Sequence, residues 1–504
     1  MKDSKRHGIK VKNNNYKKIE NFNKIVITKI LLLILFSMAL SISIMWRKDL
    51  SIETVIGTSL LIAILLILLY KDLMRYRPTI YRNYSIMLLI GILLLGNILM
   101  GLGSYYILES STIWLGDIDP QLPIYAIPLA TGSMLAALLI DIHTAIVFSV
   151  ITSLLAGIWQ GEPLYSIFSF ISGLTAAFGV IRCKKRSAIW RAGLFMGLVC
   201  VLASLMVIFI QGQIFTINTP VVMGFAFFNG LMVATLVSAI LPLLEYSFNL
   251  STDISLLELL DLNQPLMRNL LIAAPGTYHH SIIVGNLVES AAEAVGVNPL
   301  LARVSAFYHD IGKTKMPEYF IENQSRPVSM HEKLTPQMSG LIIISHVKEG
   351  VELAKQHKLP DSIIDIIQQH HGTSVVAFFY QKAKDRQENG VSPLVEEANF
   401  RYPGPKPKTR VAALVLMADA VEAASRALTE PIPTRISALV DRIVNHFFLD
   451  GQLDDCELTL RDLREIKSHF VYLLTSMFHR RVDYPGFETK DENSDKKPAK
   501  PEAV

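Results

Sequence analysis

Cysteine and charged residues are scarce in this sequence, and both shortages narrow the class of protein. Three cysteines occur in 504 residues and none forms a Cys-x-x-Cys pair, which argues against a disulfide framework or a cysteine-based zinc site. Charged residues make up 18% of the chain, against about 25% in soluble proteins. Hydrophobic residues reach 51% and the mean hydropathy is +0.37. A purely soluble protein is therefore excluded, and much of the chain is expected to lie in lipid.

Long apolar runs account for this hydrophobic excess, and they lie in the first half of the chain. A helix that crosses a bilayer needs about 20 apolar residues. Eight candidate runs precede Glu245, near positions 25–46, 54–70, 86–108, 122–140, 142–160, 164–181, 192–210 and 220–244. The first run is not followed by a small-residue cleavage site, so we interpret it as a retained membrane helix and not as a signal peptide.

The distribution of lysine and arginine predicts the orientation of these helices. Basic residues cluster in the N-terminal tail and in the segments 71–84 and 182–191. Eight crossings place all three on one side, while segments 109–123 and 211–220 on the other side contain neither lysine nor arginine. Cytoplasmic loops of membrane proteins are enriched in these residues. Both termini are therefore predicted to be cytoplasmic, in a multi-pass membrane protein.

Two ionisable residues, Asp141 and His143, lie between the fourth and fifth runs. Ionisable residues at membrane depth often mark an ion path. These two fall at a helix junction near the interface, so a plain turn is the favoured interpretation.

Helical periodicity with ordinary charge replaces the apolar runs after Leu244, and strand signals are scarce. We therefore predict an all-α protein, in which a polytopic transmembrane bundle precedes a cytoplasmic all-helical domain. The polar, charged end of the chain is expected to be disordered. The predicted segments are a basic cytoplasmic tail (1–24), a transmembrane region of about eight helices (25–244), linker helices (245–274), the soluble helical domain (275–484) and a disordered tail (485–504).

Polar side chains inside apolar helical stretches of the second half indicate the function. Seven of them fall on a predicted helix or at its end, from which they can project inward: His280, His309, Asp310, His346, His370, His371 and Asp419. Imidazole suits Fe, Mn, Zn or Co, and one carboxylate can bridge two ions. Two ions about 3.5–4 Å apart can activate a bridging hydroxide for attack on a phosphodiester. The set therefore predicts a site for two divalent transition-metal ions.

Other polar residues near this set need separate interpretation. A lone helical histidine is usually packed or solvated, so His279, His331 and His357 are not taken as ligands. Asp419 differs, because it interrupts an apolar helix face where an unpaired charge would be costly. Lys313 follows a helix end and supplies a cation for phosphate, although a lysine in that position is often only solvated.

The ordered set of histidines and aspartates resembles the HD-domain superfamily of metal-dependent phosphohydrolases. Within it, the chain resembles the membrane-bound seven-transmembrane HD family of PgpH-like cyclic di-AMP phosphodiesterases, through the motifs LLIAAPGTYHHS, YHDIGK, PEYFIENQ, IIISHV, IIQQHHGT and FFYQKA. The resemblance covers roughly Leu50 to Pro485. It implies an HD phosphohydrolase domain over 275–484 that hydrolyses cyclic di-AMP to pApA with a hydroxide activated by two metal ions, Mn or Fe.

The resemblance also implies how the ligands are divided. One ion is expected at a four-residue set, His280, His309, Asp310 and Asp419. The second is expected at His346, His370 and His371, with Asp310 bridging the two ions. Asp310, which orients the hydroxide, and Lys313, which contacts phosphate, are the expected catalytic residues. The expected partners are a cyclic dinucleotide and the lipid bilayer but no nucleic-acid polymer, and a homodimer is left open.

One departure from the family concerns the connection between the first two membrane helices. Family members typically carry a sizeable extracellular domain there, whereas only the segment RKDLSIE joins the two runs in this chain. So short a segment is too small for a folded domain. Sensing is therefore expected to use the membrane helices, the short loops or the cytoplasmic tails.

Three alternatives to the cyclic di-AMP phosphodiesterase stay open at this point. A cyclic di-GMP phosphodiesterase of the HD-GYP kind is disfavoured, because GTSVVAFFYQK follows His371 and contains no GYP tripeptide. A hydrolase of nucleoside polyphosphates is possible in the superfamily but lacks the motifs above. A catalytically inactive signalling or transport protein is disfavoured because all seven ligand positions are filled.

Overall fold

The described residues divide into two units between Asp261 and Leu262. The structure is a computed structural model, and it describes residues 28–46, 50–115, 122–181, 183–214, 216, 218–324, 329–389 and 395–478. The boundary between the units falls inside the predicted linker 245–274. The predicted tails 1–24 and 485–504 lie outside the described residues, and the remaining segment limits stay predictions.

The first unit consists of helices that are mostly long and apolar. They are α1 (Thr28–Met45), α2 (Ile52–Tyr76), α3 (Pro78–Arg82), α4 (Tyr84–Leu115), α5 (Thr131–Leu139), α6 (Ile142–Gln160), α7 (Pro163–Gly179), α8 (Ser187–Ile210), α9 (Thr219–Phe248) and α10 (Asp253–Leu259). Seven spans are long and apolar enough to cross a membrane, namely α1, α2, α4, Leu122–Leu139, α6, α8 and α9, while α7 is apolar but shorter. Each of the eight predicted runs thus falls on one of these elements, and the number of crossings stays a prediction.

The fourth apolar run differs from the continuous stretch seen in the sequence. A 3-10 turn at Leu122–Ala126 is separated from α5 by four residues without helical structure, 127–130. The side chain of Asn229 donates to the carbonyls of Tyr125 and Ile127 at 2.9 and 2.8 Å, and Asn97 donates to the carbonyl of Leu129 at 2.8 Å. Broken backbone in an apolar layer is tolerated when its polar groups find partners inside the protein, and these two amides supply them.

Helices α8 and α9 approach each other closely at glycine residues of both helices. A Cβ atom on Gly230 would lie 2.2 Å from the carbonyl oxygen of Gly193 and 2.5 Å from the backbone nitrogen of Gly197. Small residues allow this close backbone contact between membrane helices, where van der Waals packing drives association. Helices α8 and α9 therefore pack in close backbone contact as a pair, and α9 ends at Phe248.

Asp141 and His143 lie at the junction of α5 and α6, where Asp141 precedes α6 and His143 lies in its first turn. Asp141 caps α6 by accepting from the amide of Thr144 at 2.7 Å, and its other oxygen lies 2.5 Å from Nε of Arg77. His143 Nε2 lies 2.7 Å from a carboxylate oxygen of Asp72. The polar atoms of this junction are thus paired with one another, which is what a helix cap requires.

The second unit is helical, and among its described residues the only β-type pairing is the isolated bridge between Val375 and Arg401. Its helices are α11 (Pro265–Ala273), α12 (Pro275–Ala294), α13 (Pro299–Tyr308), α14 (Pro336–Gln356), α15 (Asp361–Gln369), α16 (Ala377–Glu388), α17 (Arg410–Ser425), α18 (Pro433–Leu449) and α19 (Leu460–Met477). Short 3-10 turns occur at Ile311–Lys315, Pro317–Tyr319, Ile321–Asn323, Met330–Lys333 and Glu397–Phe400. The predicted all-α class, a membrane bundle followed by a helical domain, is confirmed.

Helix α17 forms the centre of the second unit. Its sequence VAALVLMADAVEA is apolar on every side, a pattern typical of a buried helix, and nearly all of it is buried. Helices α12, α13, α15, α18 and α19 pack around it. Polar side chains on α17 and on the helices that surround it are therefore held at fixed positions in the interior.

Candidate metal centre

Five helices of the second unit bring the seven candidate ligands together. His280 lies on α12, His309 and Asp310 directly follow α13, His346 lies on α14, His370 and His371 directly follow α15, and Asp419 lies on α17. They form two groups in which one ligand atom per residue lies within 4.8 Å of the others: His280, His309, Asp310 and Asp419 in one, and Asp310, His346, His370 and His371 in the other. Asp310 belongs to both groups.

Nε2 of His309 and the two carboxylate oxygens of Asp310 are buried, and no well-aligned hydrogen bond to them is found among the described residues. Nε2 of His309 is 3.2 Å from one of those oxygens, which also lies 2.8 Å from Nζ of Lys313, and Nε2 of His346 is 3.3 Å from the other. Buried polar atoms are normally hydrogen-bonded. Imidazole nitrogen and carboxylate oxygen together are the ligands that divalent transition metals take in proteins. The residues present therefore fit a pair of such ions.

Three of the histidines are oriented by their own helices. Nδ1 of His309, His346 and His370 lies 2.7, 2.5 and 2.7 Å from the backbone carbonyl three residues earlier. Because a carbonyl oxygen only accepts, Nδ1 carries a proton, and Nε2 is the nitrogen left to bind a metal ion. A histidine that binds a metal usually has its other ring nitrogen held in this way.

His280 is oriented by a side chain that the sequence analysis missed. Its Nδ1 lies 2.5 Å from a carboxylate oxygen of Glu422, whose other oxygen is 2.6 Å from Nη2 of Arg426. Its Nε2 lies 2.9 Å from Asp419. The sequence contained a signal for this residue, because Glu422 is a second acidic residue on the apolar helix α17, one turn after Asp419.

Lys313 lies between two carboxylates. Its Nζ is 2.8 Å from Asp310 and 2.9 Å from Glu322, which also accepts from the hydroxyl of Thr277 at 2.9 Å. The contact with Glu322 was not foreseen, because 3-10 turns and not a helix bring that residue back to the site. Burial opposes the charge on Lys313, but the two carboxylates outweigh it and raise its pKa. Lys313 is thus a fixed positive charge beside the shared aspartate.

Gly312 allows this part of the chain to pass close to α14. A Cβ atom at this position would lie 1.9 Å from the carbonyl oxygen of His346 and 2.5 Å from the amide nitrogen of Gly350. Any side chain here would push the turn that carries Asp310 and Lys313 away from the helix that carries His346.

His371 is the most exposed member of the set, with 20% of its side chain accessible. Its ring stacks on Tyr402 with centroids 4.2 Å apart and planes 23° apart. The other members are between 0 and 12% exposed. The cluster is therefore most accessible from the side of His371.

The charges of the cluster stabilise one another against burial. Burial disfavours the charged form of Asp310, but His309 and Lys313 hold the pKa of that carboxyl well below its usual range. Burial likewise disfavours imidazolium at His309, yet Asp310 and Asp419 raise its pKa to about 10. At His371, burial and the neighbouring His370 lower the pKa well below the usual value. The carboxylates thus attract positive charge, and a metal ion replaces protons when it binds such a site.

The histidines set aside in the sequence analysis lie apart from both groups. His279 and His357 are exposed. His331 is buried, with Nε2 2.8 Å from the carbonyl of Tyr319 and its ring packed on Phe379. None of the three shares in the two groups found among the described residues.

Comparison with known proteins gives two family matches. The model described as a 7TM receptor with intracellular HD hydrolase matches residues 52–252, and the HD domain model matches residues 277–424. The second range contains all seven candidate ligands. The first range begins after α1, so seven apolar elements lie inside it and α1 precedes it.

Individual relatives agree with these matches. The cyclic-di-AMP phosphodiesterase PgpH of Listeria monocytogenes is 39% identical over 365 residues, which is 72% of this chain and 50% of the relative. PgpH of Bacillus subtilis is 39% identical over 371 residues, 72% of this chain and 51% of the relative. The crystal structure of the L. monocytogenes PgpH HD domain in complex with cyclic-di-AMP is 45% identical and covers 43% of this chain and 99% of that one, with a TM-score of 0.41.

The chain spans about half the length of the curated relatives it matches. Over that half, the order of membrane helices, HD domain and histidine-aspartate cluster is the one that the sequence motifs predict, and the predicted family is confirmed. The chain belongs to the seven-transmembrane HD family, and its second unit is an HD phosphohydrolase domain homologous to that of PgpH.

Proposed function

We propose that the chain is a membrane-anchored phosphodiesterase that hydrolyses cyclic di-AMP to pApA with two divalent metal ions. The observation that carries the proposal is the position of Asp310. It belongs to both ligand groups and is buried, with one carboxylate oxygen 3.3 Å from Nε2 of His346 and the other 3.2 Å from Nε2 of His309. One carboxylate shared by two sets of imidazoles is what a pair of adjacent ions requires.

We assign the ligands to the two ions as the resemblance implies, and the two groups of neighbouring ligand atoms support this assignment. We assign His280, His309, Asp310 and Asp419 to one ion and His346, His370, His371 and Asp310 to the other, with Mn or Fe as the ions. When bound, such a pair supplies an activated hydroxide and neutralises charge on a phosphodiester. The protein contributes the positions of the ligands, which the backbone carbonyls and Glu422 fix in advance.

Lys313 and Tyr402 have separate roles in the proposal. Lys313 keeps a positive charge beside Asp310, where it stabilises negative charge that develops on the phosphoryl oxygens. Its pairing with Glu322 holds the ammonium group in place. Tyr402 stacks on His371 at the exposed side of the cluster, so it borders the path by which a dinucleotide enters.

The substrate is proposed from the relatives and from the motif after His371. Two relatives at 39% identity are named cyclic-di-AMP phosphodiesterases. The GYP tripeptide typical of cyclic di-GMP enzymes is absent after His371. The basic segments 71–84 and 182–191 favour a cytoplasmic HD domain, where a cyclic dinucleotide would be found.

The test uses the full chain in lipid nanodiscs, loaded with Mn²⁺ or Fe²⁺. Bound metal is measured by elemental analysis, and the product is identified by chromatography against pApA, pGpG and AMP. We expect about two ions per chain and conversion of cyclic di-AMP to pApA. Metal-loaded protein that leaves cyclic di-AMP intact, or that converts cyclic di-GMP faster, would refute the proposal.

A further inference from the structure

A cavity in the membrane unit lies far along the chain from the metal centre and has no role in the function proposed above. Its volume is about 490 Å³, which lies in the range of about 300–1,000 Å³ typical of small-molecule sites. The turn Leu122–Ala126, the junction of α6 and α7 and the facing ends of α8 and α9 form its walls. In the topology that the basic segments predict, this end faces away from the cytoplasm.

The walls of the cavity are held in place by hydrogen bonds of the surrounding helices. The hydroxyl of Tyr165 donates to the carbonyl of Ile124 at 2.8 Å, and Asn229 donates to the carbonyl of Tyr125 at 2.9 Å. The rings of Tyr125 and Tyr165 lie edge to face, with centroids 6.3 Å apart. Because both tyrosines are also wall residues, the cavity is formed before any ligand arrives.

The residues that line the cavity favour a positively charged ligand. Glu162 is the only charged residue among the described wall residues, and no described lysine or arginine pairs with it. The amides of Gln211 and Gln213 and the two tyrosines add hydrogen-bonding groups and aromatic rings. The predicted outer segments 109–123 and 211–220 contain neither lysine nor arginine. An anion would find no cationic partner here, whereas an ammonium group would find a carboxylate and tyrosine rings, which attract cations.

We propose that this cavity binds a small organic cation, an amine or quaternary ammonium compound, with its charge beside Glu162. A bare metal ion is much smaller than the cavity, and an anion is disfavoured by Glu162. The cation comes either from free solute or from the headgroup of a lipid such as phosphatidylethanolamine, because the cavity lies at the end of the membrane helices. Both sources present the same ammonium chemistry.

The test measures binding to the full chain in phosphatidylglycerol nanodiscs, without cyclic di-AMP, so that the result does not depend on the proposed phosphodiesterase activity. Choline and ethanolamine serve as cationic probes, and 3,3-dimethyl-1-butanol serves as the neutral analogue of choline. Titration calorimetry is expected to give saturable binding of at least one cation, with a Kd of about 1 mM or tighter, and weaker binding of the neutral analogue. Addition of phosphatidylethanolamine to the nanodisc identifies the source: competition points to a headgroup, and no competition points to a solute.

Three variants separate the cavity from the general charge of the surface. Glu162→Gln should weaken binding about two- to fivefold, because it removes the charge but not the shape, and water screens the exposed carboxylate of Glu162. Gln211→Trp should weaken it by filling the cavity from an exposed position. Glu109→Gln, which removes an acid on the same predicted side but outside the cavity, should leave binding unchanged. Equal loss with Glu109→Gln, equal binding of the neutral analogue, or no binding of either cation up to about 10 mM would overturn the proposal.

Discussion

Replacing Glu422 by glutamine should weaken metal binding while the HD unit stays folded. Glu422 accepts from Nδ1 of His280 at 2.5 Å and pairs with Arg426 at 2.6 Å, and 3% of its side chain is exposed. Glutamine keeps the shape and one acceptor oxygen but loses the negative charge. The imidazole of His280 then becomes a weaker donor to a cation at its Nε2, because the charge that raises its basicity is gone.

The size of the effect follows from the type of bond that is lost. A hydrogen bond to a charged group contributes about 1.5–3 kcal/mol, and each 1.4 kcal/mol is about tenfold in an equilibrium constant. We therefore expect metal affinity to fall about 10- to 100-fold at the group that contains His280. The group of His346, His370 and His371 has no contact with Glu422 among those described, so its ion should be retained.

The assay titrates Mn²⁺ into the metal-free full chain in nanodiscs and follows both bound metal and cyclic di-AMP hydrolysis. Glu422→Gln should bind one ion with normal affinity and the second weakly, and excess Mn²⁺ should restore turnover. The matched control is Glu352→Gln on α14. The carboxylate of Glu352 is exposed, and its contact with Nζ of Lys348 is a long one of 4.0 Å. If Glu422→Gln binds both ions with wild-type affinity, or loses turnover that excess Mn²⁺ does not restore, then Glu422 does not orient His280 for metal binding.

The other predictions concern single residues and the metal itself. His309→Ala or Asp310→Ala should lower turnover about 1,000-fold or more and reduce bound metal, and His357→Ala should do neither; equal loss at His357 contradicts the division of the histidines. Gly312→Ala should lower the free energy of unfolding by about 1–3 kcal/mol and the melting temperature in calorimetry by about 2–12 °C. Gly224→Ala should leave the melting temperature unchanged, because a Cβ atom at Gly224 meets nothing within 4 Å. Chelation with EDTA should lower the melting temperature reversibly, because ligands that bind only the folded state stabilise it; an unchanged temperature contradicts a metal centre.

The sequence was sufficient to find the candidate ligands because each one falls on a predicted helix or at its end, from which it can project inward. Asp419 within LVLMADAVEA is the clearest case, since a buried charge without a partner is costly. The structure brings all seven such residues together. Their assignment to two ions stays a proposal, and the geometry supports it.

The contacts that orient the histidines could not be predicted from residue types. Nδ1 of His309, His346 and His370 is held by a backbone carbonyl three residues earlier. Any amino acid at that earlier position supplies the same carbonyl, so no side-chain pattern encodes the contact. Glu322 escaped prediction for a related reason, because irregular 3-10 turns bring it to Lys313 and periodicity does not describe such turns.

Isolated polar residues in apolar helices are informative in the membrane unit as well as in the HD unit. Asn97 and Asn229 are single amides in apolar helices, and each binds backbone carbonyls of the broken segment before α5. Hydropathy averages over a window and therefore predicted one continuous run at 122–140, whereas the isolated amides mark the place where helical hydrogen bonds are missing. A lone polar residue in an apolar helix thus implies a polar partner elsewhere in the fold. In the HD unit we propose a metal ion as that partner, and in the membrane unit it is the protein's own backbone in the broken segment before α5.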